Sequence, residues 1–71
     1  MSKKLTEIAT ELAASLISAA SLGQAVATAD IQSAVRNLNS SGESYPQSQL
    51  ERHVAENIRK SYRPGISGSL K

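Results

Sequence analysis

The sequence contains no cysteine, no tryptophan and no phenylalanine, and tyrosine occurs only twice among its 71 residues. Without cysteine, the chain can form neither a disulfide nor a thiolate metal site. Its hydrophobic core must be built from aliphatic side chains. Chains this short are commonly stabilised by a disulfide, a metal or a partner chain. We therefore expect one small domain that associates with itself or with another protein.

Long apolar runs are also lacking, and none approaches the roughly 18 residues that a membrane span needs. Lys3 and Lys4 precede a small, apolar stretch at residues 12–22, an order that is also found in signal peptides. Glu7 and Glu11 lie between the two, and signal peptides avoid acidic residues there. We expect an amphipathic helix and no membrane partner. Because the lack of cysteine fits a reducing compartment, we predict a cytoplasmic location.

Helical periodicity dominates what is present. A first helix is predicted at about residues 3–22, with Ser2 as its cap and Gly23 as its stop. A second is predicted at residues 29–39, with Thr28 as its N-cap and Asp30 in its first turn. Residues 24–27 fit either a loop or an early turn. The apolar stripe of the first helix comprises Leu5, Ile8, Leu12, Leu16 and Ala19, widened by Ala9, Ala13, Ile17 and Ala20.

The third helix is predicted at residues 48–63. Its apolar residues recur at every fourth position and form one stripe, namely Leu50, Val54, Ile58 and Tyr62. Ser48 followed by Glu51 matches the capping box, although Pro46 would also suit a first helical position. Glu56 and Lys60 have the spacing of a favourable ion pair. We favour Ser48 as the cap, with Tyr45 and Pro46 as an ordered lead-in.

The predicted fold class is therefore all-α, with helix three packed across the pair made by helices one and two. Residues 1–63 form the single helical domain. Residues 64–71 contain two glycines and two serines after the helix-breaking Pro64, so we expect a flexible C-terminal tail.

Catalytic chemistry finds little support in the sequence. His53 is the only histidine, and neither cysteine nor aspartate lies near it. Glu56 follows three residues later, but a histidine and a glutamate on one helix are ordinary surface residues. Phosphate-binding and nucleophile-elbow patterns are missing. We predict a non-enzymatic protein with no cofactor, no metal site and no small-molecule substrate.

Positive charge gathers towards the C-terminus, and the net charge is +2. Arg59, Lys60 and Arg63 are the predicted contacts with an acidic partner, which is either nucleic acid or protein. Basic residues in a last helical turn also stabilise the helix dipole without any partner. A standard helix-turn-helix is disfavoured, because it needs a turn of about 3–4 residues and residues 39–47 form a longer loop.

The leading functional prediction is a small regulatory or adaptor protein that self-associates as a homo-oligomer through its first helix. The contact residues are Leu5, Ile8, Leu12, Leu16 and Ile17. Ala-rich helices bury one another poorly, so an exposed apolar strip is expected. The alternative is a monomeric inhibitor or accessory subunit that docks an amphipathic helix face onto a larger protein.

The first 39 residues resemble the N-terminal region of the Ros/MucR class of bacterial regulators. The similar positions are Met1, Ser2, Lys3, Leu5, Glu7, Ala9, Thr10, Glu11 and Leu12, followed by a second short helix near residues 31–38. The resemblance implies a helical, self-associating region. In that class a separate zinc finger binds DNA, and its cysteine and histidine ligands are missing here, so no DNA-contacting residue carries over.

Overall fold

Three helices and a very short parallel sheet form the domain in a computed structural model that describes residues 3–20 and 23–68. The helices are α1 (Leu5–Ala19), α2 (Thr28–Ser40) and α3 (Gln47–Ser61). Strand β1 (Val26–Ala27) precedes α2, and strand β2 (Ile66–Ser67) follows α3. The predicted all-α class is confirmed, because each strand has only two residues.

Helix α3 holds the core together. Leu50, Val54 and Ile58 are completely buried, which confirms three positions of the predicted apolar stripe, and the fourth, Tyr62, is partly buried at the C-cap. The helix packs extensively along α1 and also against α2, whereas α1 and α2 touch each other only slightly. Helices α1 and α2 thus do not form the expected pair, and each depends on α3 for most of its packing.

Small side chains form the centre of the α1 surface that packs on α3. Ala9 is 0% exposed and Ala13 is 3% exposed, and Ala55 of α3 is also buried. Alanine at a helix contact lets two helix axes approach closely, because no side chain holds them apart. The larger residues Leu12 and Leu16 lie beside these alanines and are only partly buried.

The capping box predicted at the start of α3 is wrong. Pro46 occupies the N-cap position, the helix begins at Gln47, and no side chain caps its first turn. Glu51 is 9% exposed and instead accepts a 2.8 Å hydrogen bond from Nε2 of Gln47. The end of α2 fixes the entry into α3, because Asn39 bonds both the backbone N–H and the carbonyl oxygen of Tyr45.

Two further boundary predictions differ from the structure. Helix α1 ends at Ala19, and the backbone N–H of Ala20 bonds the carbonyls of Leu16 and Ile17 at 3.0 and 3.2 Å. Ser2, Ser21 and Leu22 lie outside the described residues. Thr28 is not an N-cap but the first residue of α2, and its Oγ1 donates a 2.7 Å hydrogen bond to the carbonyl of Ser67.

The chain turns back after α3, so residues 64–68 differ from the expected loose tail. Gly65 adopts a φ of 70°, and its carbonyl oxygen accepts a 2.9 Å hydrogen bond from the Val26 N–H. Val26 then lies opposite Ile66 in the parallel pair. The Tyr62 hydroxyl donates a 2.6 Å bond to the Gln24 carbonyl close by. Residues 69–71 lie outside the described part of the chain.

The close contact of α1 and α3 predicts that Ala9→Leu is destabilising. A larger side chain at this fully buried position overpacks the contact and lowers the free energy of unfolding by about 1–3 kcal/mol. The matched control Ala19→Leu places the same side chain at an exposed position of the same helix and leaves stability nearly unchanged. Urea denaturation followed by circular dichroism measures both; equal midpoints for the two variants would contradict the packing.

The hydrogen bond between Thr28 and Ser67 predicts a local effect of Thr28→Val. Loss of the hydroxyl costs about 0.5–1.5 kcal/mol and loosens β2, so the Val26 amide exchanges with solvent faster. Thr28→Ser keeps the hydroxyl and is the matched control. Amide hydrogen exchange by NMR distinguishes them, and unchanged protection of Val26 in Thr28→Val would show that the bond does not hold β2.

Candidate functional site

The outward side of α3 carries most of the basic residues of the C-terminal half. Leu50, Glu51, Val54, Ala55 and Ile58 are the buried residues of α3. At 3.6 residues per turn these five fall within an arc of about 140°. The opposite side is exposed to solvent. Its basic residues, here named the basic face, are Arg52, His53, Arg59, Lys60 and, just beyond the helix, Arg63.

Arg52 is the functional candidate that sequence reasoning missed. It is exposed and lies two helical turns before Arg59, so the two residues share one side of α3 and are about 10 Å apart along the helix axis. The seven-residue spacing was visible in the sequence. The neighbouring Glu51 matches a capping box in the sequence, whereas the structure buries Glu51 and exposes Arg52.

The predicted contacts Arg59, Lys60 and Arg63 do not share one helix. Arg59 and Lys60 lie in the last turn of α3, and Tyr62 is the C-cap with an extended backbone. Arg63 therefore leaves the helix and lies exposed in the following turn. All three remain at the same end of the molecule, because Gly65 and Ile66 immediately lead the chain back to β1.

The basic face has no carboxylate partners within residues 3–20 and 23–68. The one ion pair of this region joins Lys3 to Glu11 on α1, and the hydrogen bond from Lys3 to Glu11 raises the pKa of Lys3. The pair expected between Glu56 and Lys60 is not formed. The cations of the basic face thus stay solvated and available for contacts outside the domain.

The helix dipole explains only part of this charge. Cations in a last helical turn are stabilised by the carbonyl groups there, which accounts for Arg59 and Lys60. The effect is confined to the first and last turns. Arg52 lies in the first half of α3, where a cation gains nothing from the dipole, so a structural role in the helix does not account for it.

A shallow depression of about 260 Å³ lies on the same side of α3, lined by Gln49, Arg52, His53 and Glu56. Its lining is polar and open to solvent. In the described residues no group of three or more histidine, cysteine, aspartate or glutamate side chains converges in a way that could hold a metal ion. His53 and Glu56 are brought to one surface, but no third ligand joins them there.

The five residues predicted for self-association lie mainly against the core of their own chain. Ile8 is 9% exposed and belongs to the core. The other four residues are partly buried and pack against the core, namely Leu5, Leu12, Leu16 and Ile17. Ile17 also borders a groove between α1 and α3 of about 540 Å³. This α1–α3 groove is lined further by Thr10, Ala14, Ser18, Asn57 and Lys60.

No family model matches this chain, and no curated protein and no solved structure matches it either. The resemblance of residues 1–39 to the Ros/MucR class stays a hypothesis. None of the helices in the described part of the chain combines the length and the apolar character needed to cross a bilayer.

Proposed function

We propose that this chain is a non-enzymatic binding protein whose basic face contacts the phosphate backbone of nucleic acid. The single observation that carries the proposal is the position of Arg52. It adds a cation in the first half of α3 to those of the last turn, and it has no carboxylate partner among the described residues. Phosphates are the partner that a row of solvated guanidinium and ammonium groups binds best.

The proposed contact is modest in strength. Arg52, Arg59, Lys60 and Arg63 together neutralise at most four phosphates, so the logarithm of the binding constant falls with the logarithm of salt with a slope of about −3.6. Binding of this kind is lost at moderate salt. Glu56 lies among these cations and weakens the attraction further. A second copy of the chain would double the number of contacts and strengthen binding through avidity.

The phosphate contact predicts that the double variant Arg52→Ala, Arg59→Ala binds duplex DNA about 10- to 100-fold more weakly at low salt and halves the salt slope. Lys4→Ala, Arg36→Ala is the matched control. It removes the same charge from exposed positions on other parts of the domain. Fluorescence anisotropy with a labelled duplex between about 50 and 200 mM salt measures both. Equal weakening in the two variants would attribute binding to net charge alone, and no binding at low salt would remove nucleic acid as the partner.

Self-association through α1 is the second part of the proposed function. The α1–α3 groove supports it, because Ile17 is only partly buried and Ala14 beside it is exposed. Ile17 packs against the edge of the core and Ala14 lies outside it, so both leave apolar surface at the groove. A regulatory or adaptor protein with this surface would present two basic faces at once. A monomeric accessory subunit that docks the same surface onto a larger protein is the alternative.

Self-association predicts that Ile17→Lys shifts the protein towards the monomer, because a charge in a buried apolar contact is costly. Ser15→Lys adds the same charge at an exposed position of α1 outside the groove and is the control. Sedimentation equilibrium at micromolar concentration distinguishes them. A wild-type protein that is a monomer throughout would contradict self-association and favour the accessory-subunit alternative.

A further inference from the structure

The exposed side of α3 has two segments of different chemistry. The first segment, residues 47–56, presents Gln49, Arg52, His53 and Glu56 around the shallow depression. The second segment, residues 57–61, presents the cations Arg59 and Lys60 beside the exposed Ser61, and Arg63 follows. Phosphate binding alone requires only cationic side chains. A glutamate on a phosphate-binding face opposes binding by its charge, and a glutamine adds no charge that would attract phosphates.

The four side chains around the depression have unused hydrogen-bonding capacity. In residues 3–20 and 23–68 none of them forms a hydrogen bond through its side chain to another part of the chain. Gln47 and Glu51, one turn away on the other side, bond each other instead. Gln47 and Glu51 are thus bonded within the domain, whereas the side chains around the depression are free to bond a partner.

These residue types match the edges of base pairs. Glutamine bonds two atoms of adenine, and a carboxylate accepts a hydrogen bond from the cytosine amino group. Gln49 and Glu56 are seven residues apart, which is about 10 Å along the helix and about three base pairs of duplex. The spacing therefore suits a short run of consecutive base pairs.

The shape of the domain allows α3 to reach them. Its buried residues occupy a single arc of about 140°, so the remainder of the helix surface is exposed to solvent. The major groove of duplex DNA is about 12 Å wide and admits one α-helix. In that position Gln49, His53 and Glu56 would lie at the base edges, and the cations Arg52, Arg59 and Lys60 would lie at the groove wall, where the phosphates are.

We propose that α3 enters the major groove of duplex DNA and that Gln49, His53 and Glu56 contact base edges, which makes binding sequence-selective, while Arg52 keeps the phosphate contact proposed above. Base contact presupposes the phosphate binding proposed above, since the cations of α3 position the helix. The six residues between α2 and α3, residues 41–46, distinguish this arrangement from a standard helix-turn-helix. Duplex RNA is disfavoured as the partner, because its deep, narrow major groove does not admit side chains.

Selection from a pool of randomised DNA duplexes with the full-length protein tests this inference. The expected result is an enriched motif of about three or four base pairs. Against that motif, Gln49→Ala loses discrimination at one position by about 5- to 150-fold, while its binding to unselected duplex stays unchanged. Lys60→Ala is the contrasting variant, because loss of a phosphate contact weakens binding to all sequences equally.

The outcomes separate the two proposals. Salt-dependent binding without any enriched motif would overturn base contact and leave phosphate binding in place. Equal binding of a duplex RNA of the same length would overturn entry into the major groove. Absence of binding to every duplex at low salt would overturn both. Uniform weakening by Gln49→Ala would assign that residue to the backbone and not to a base.

Discussion

The packing of one helix face decides the rest of this structure. Leu50, Val54 and Ile58 are completely shielded from water, and both α1 and α2 pack on the helix that carries them. Helices α1 and α2 make little contact with each other, so removing α3 would leave neither with a core. Because one arc of α3 is committed to this packing, the orientation of its polar side follows. The basic face is thus a geometric consequence of the core.

Small residues and backbone bonds supply what large aromatic side chains supply in other domains. Ala9, Ala13 and Ala55 allow close contact between α1 and α3. Dispersion contacts between the closely packed helices thus take the place of large side chains in the core. The two tyrosines act mainly through their hydroxyl groups at the edge of the core. Tyr45 bonds the Lys3 carbonyl at 2.7 Å, and Tyr62 bonds the Gln24 carbonyl. Each ties α3 to a segment next to α1, at opposite ends of the helix.

The candidate interface combines features with separate physical causes. Arg59 and Lys60 are favoured by the helix terminus, whatever the protein binds. Arg52 lies too far from the helix C-terminus to be stabilised by it. The polar residues around Arg52 neither stabilise the helix end nor form ion pairs within the described residues. Surface residues that do not stabilise the fold are stronger evidence for a binding role than residues whose positions folding already explains. The same logic applies to the α1–α3 groove, where Ala14 and the partly buried Ile17 leave apolar surface uncovered.

Local patterns determined the class of the fold and the approximate position of all three helices. The four-residue spacing of Leu50, Val54 and Ile58 was sufficient to identify the buried face of α3, because helical periodicity is a property of neighbouring residues. It also placed Arg59 and Lys60 on exposed positions. The start of α3 was misplaced by a residue because the capping box at Ser48 and Glu51 is a local preference. In the structure Pro46 takes the N-cap position, directly after Tyr45, which is bonded to Asn39.

Only the tertiary structure decided how the ends of the domain are held and which surfaces remain free. The pairing of Val26 with Ile66 and the bond of Thr28 to Ser67 join residues about 40 positions apart, and no local pattern marks two-residue strands. The same holds for Glu51 and Arg52, which are adjacent in sequence but lie on opposite sides of the buried boundary of α3. The sequence by itself determined that a basic amphipathic helix exists. Long-range packing determined which of its polar residues face a partner, because burial depends on neighbours that the sequence places far away.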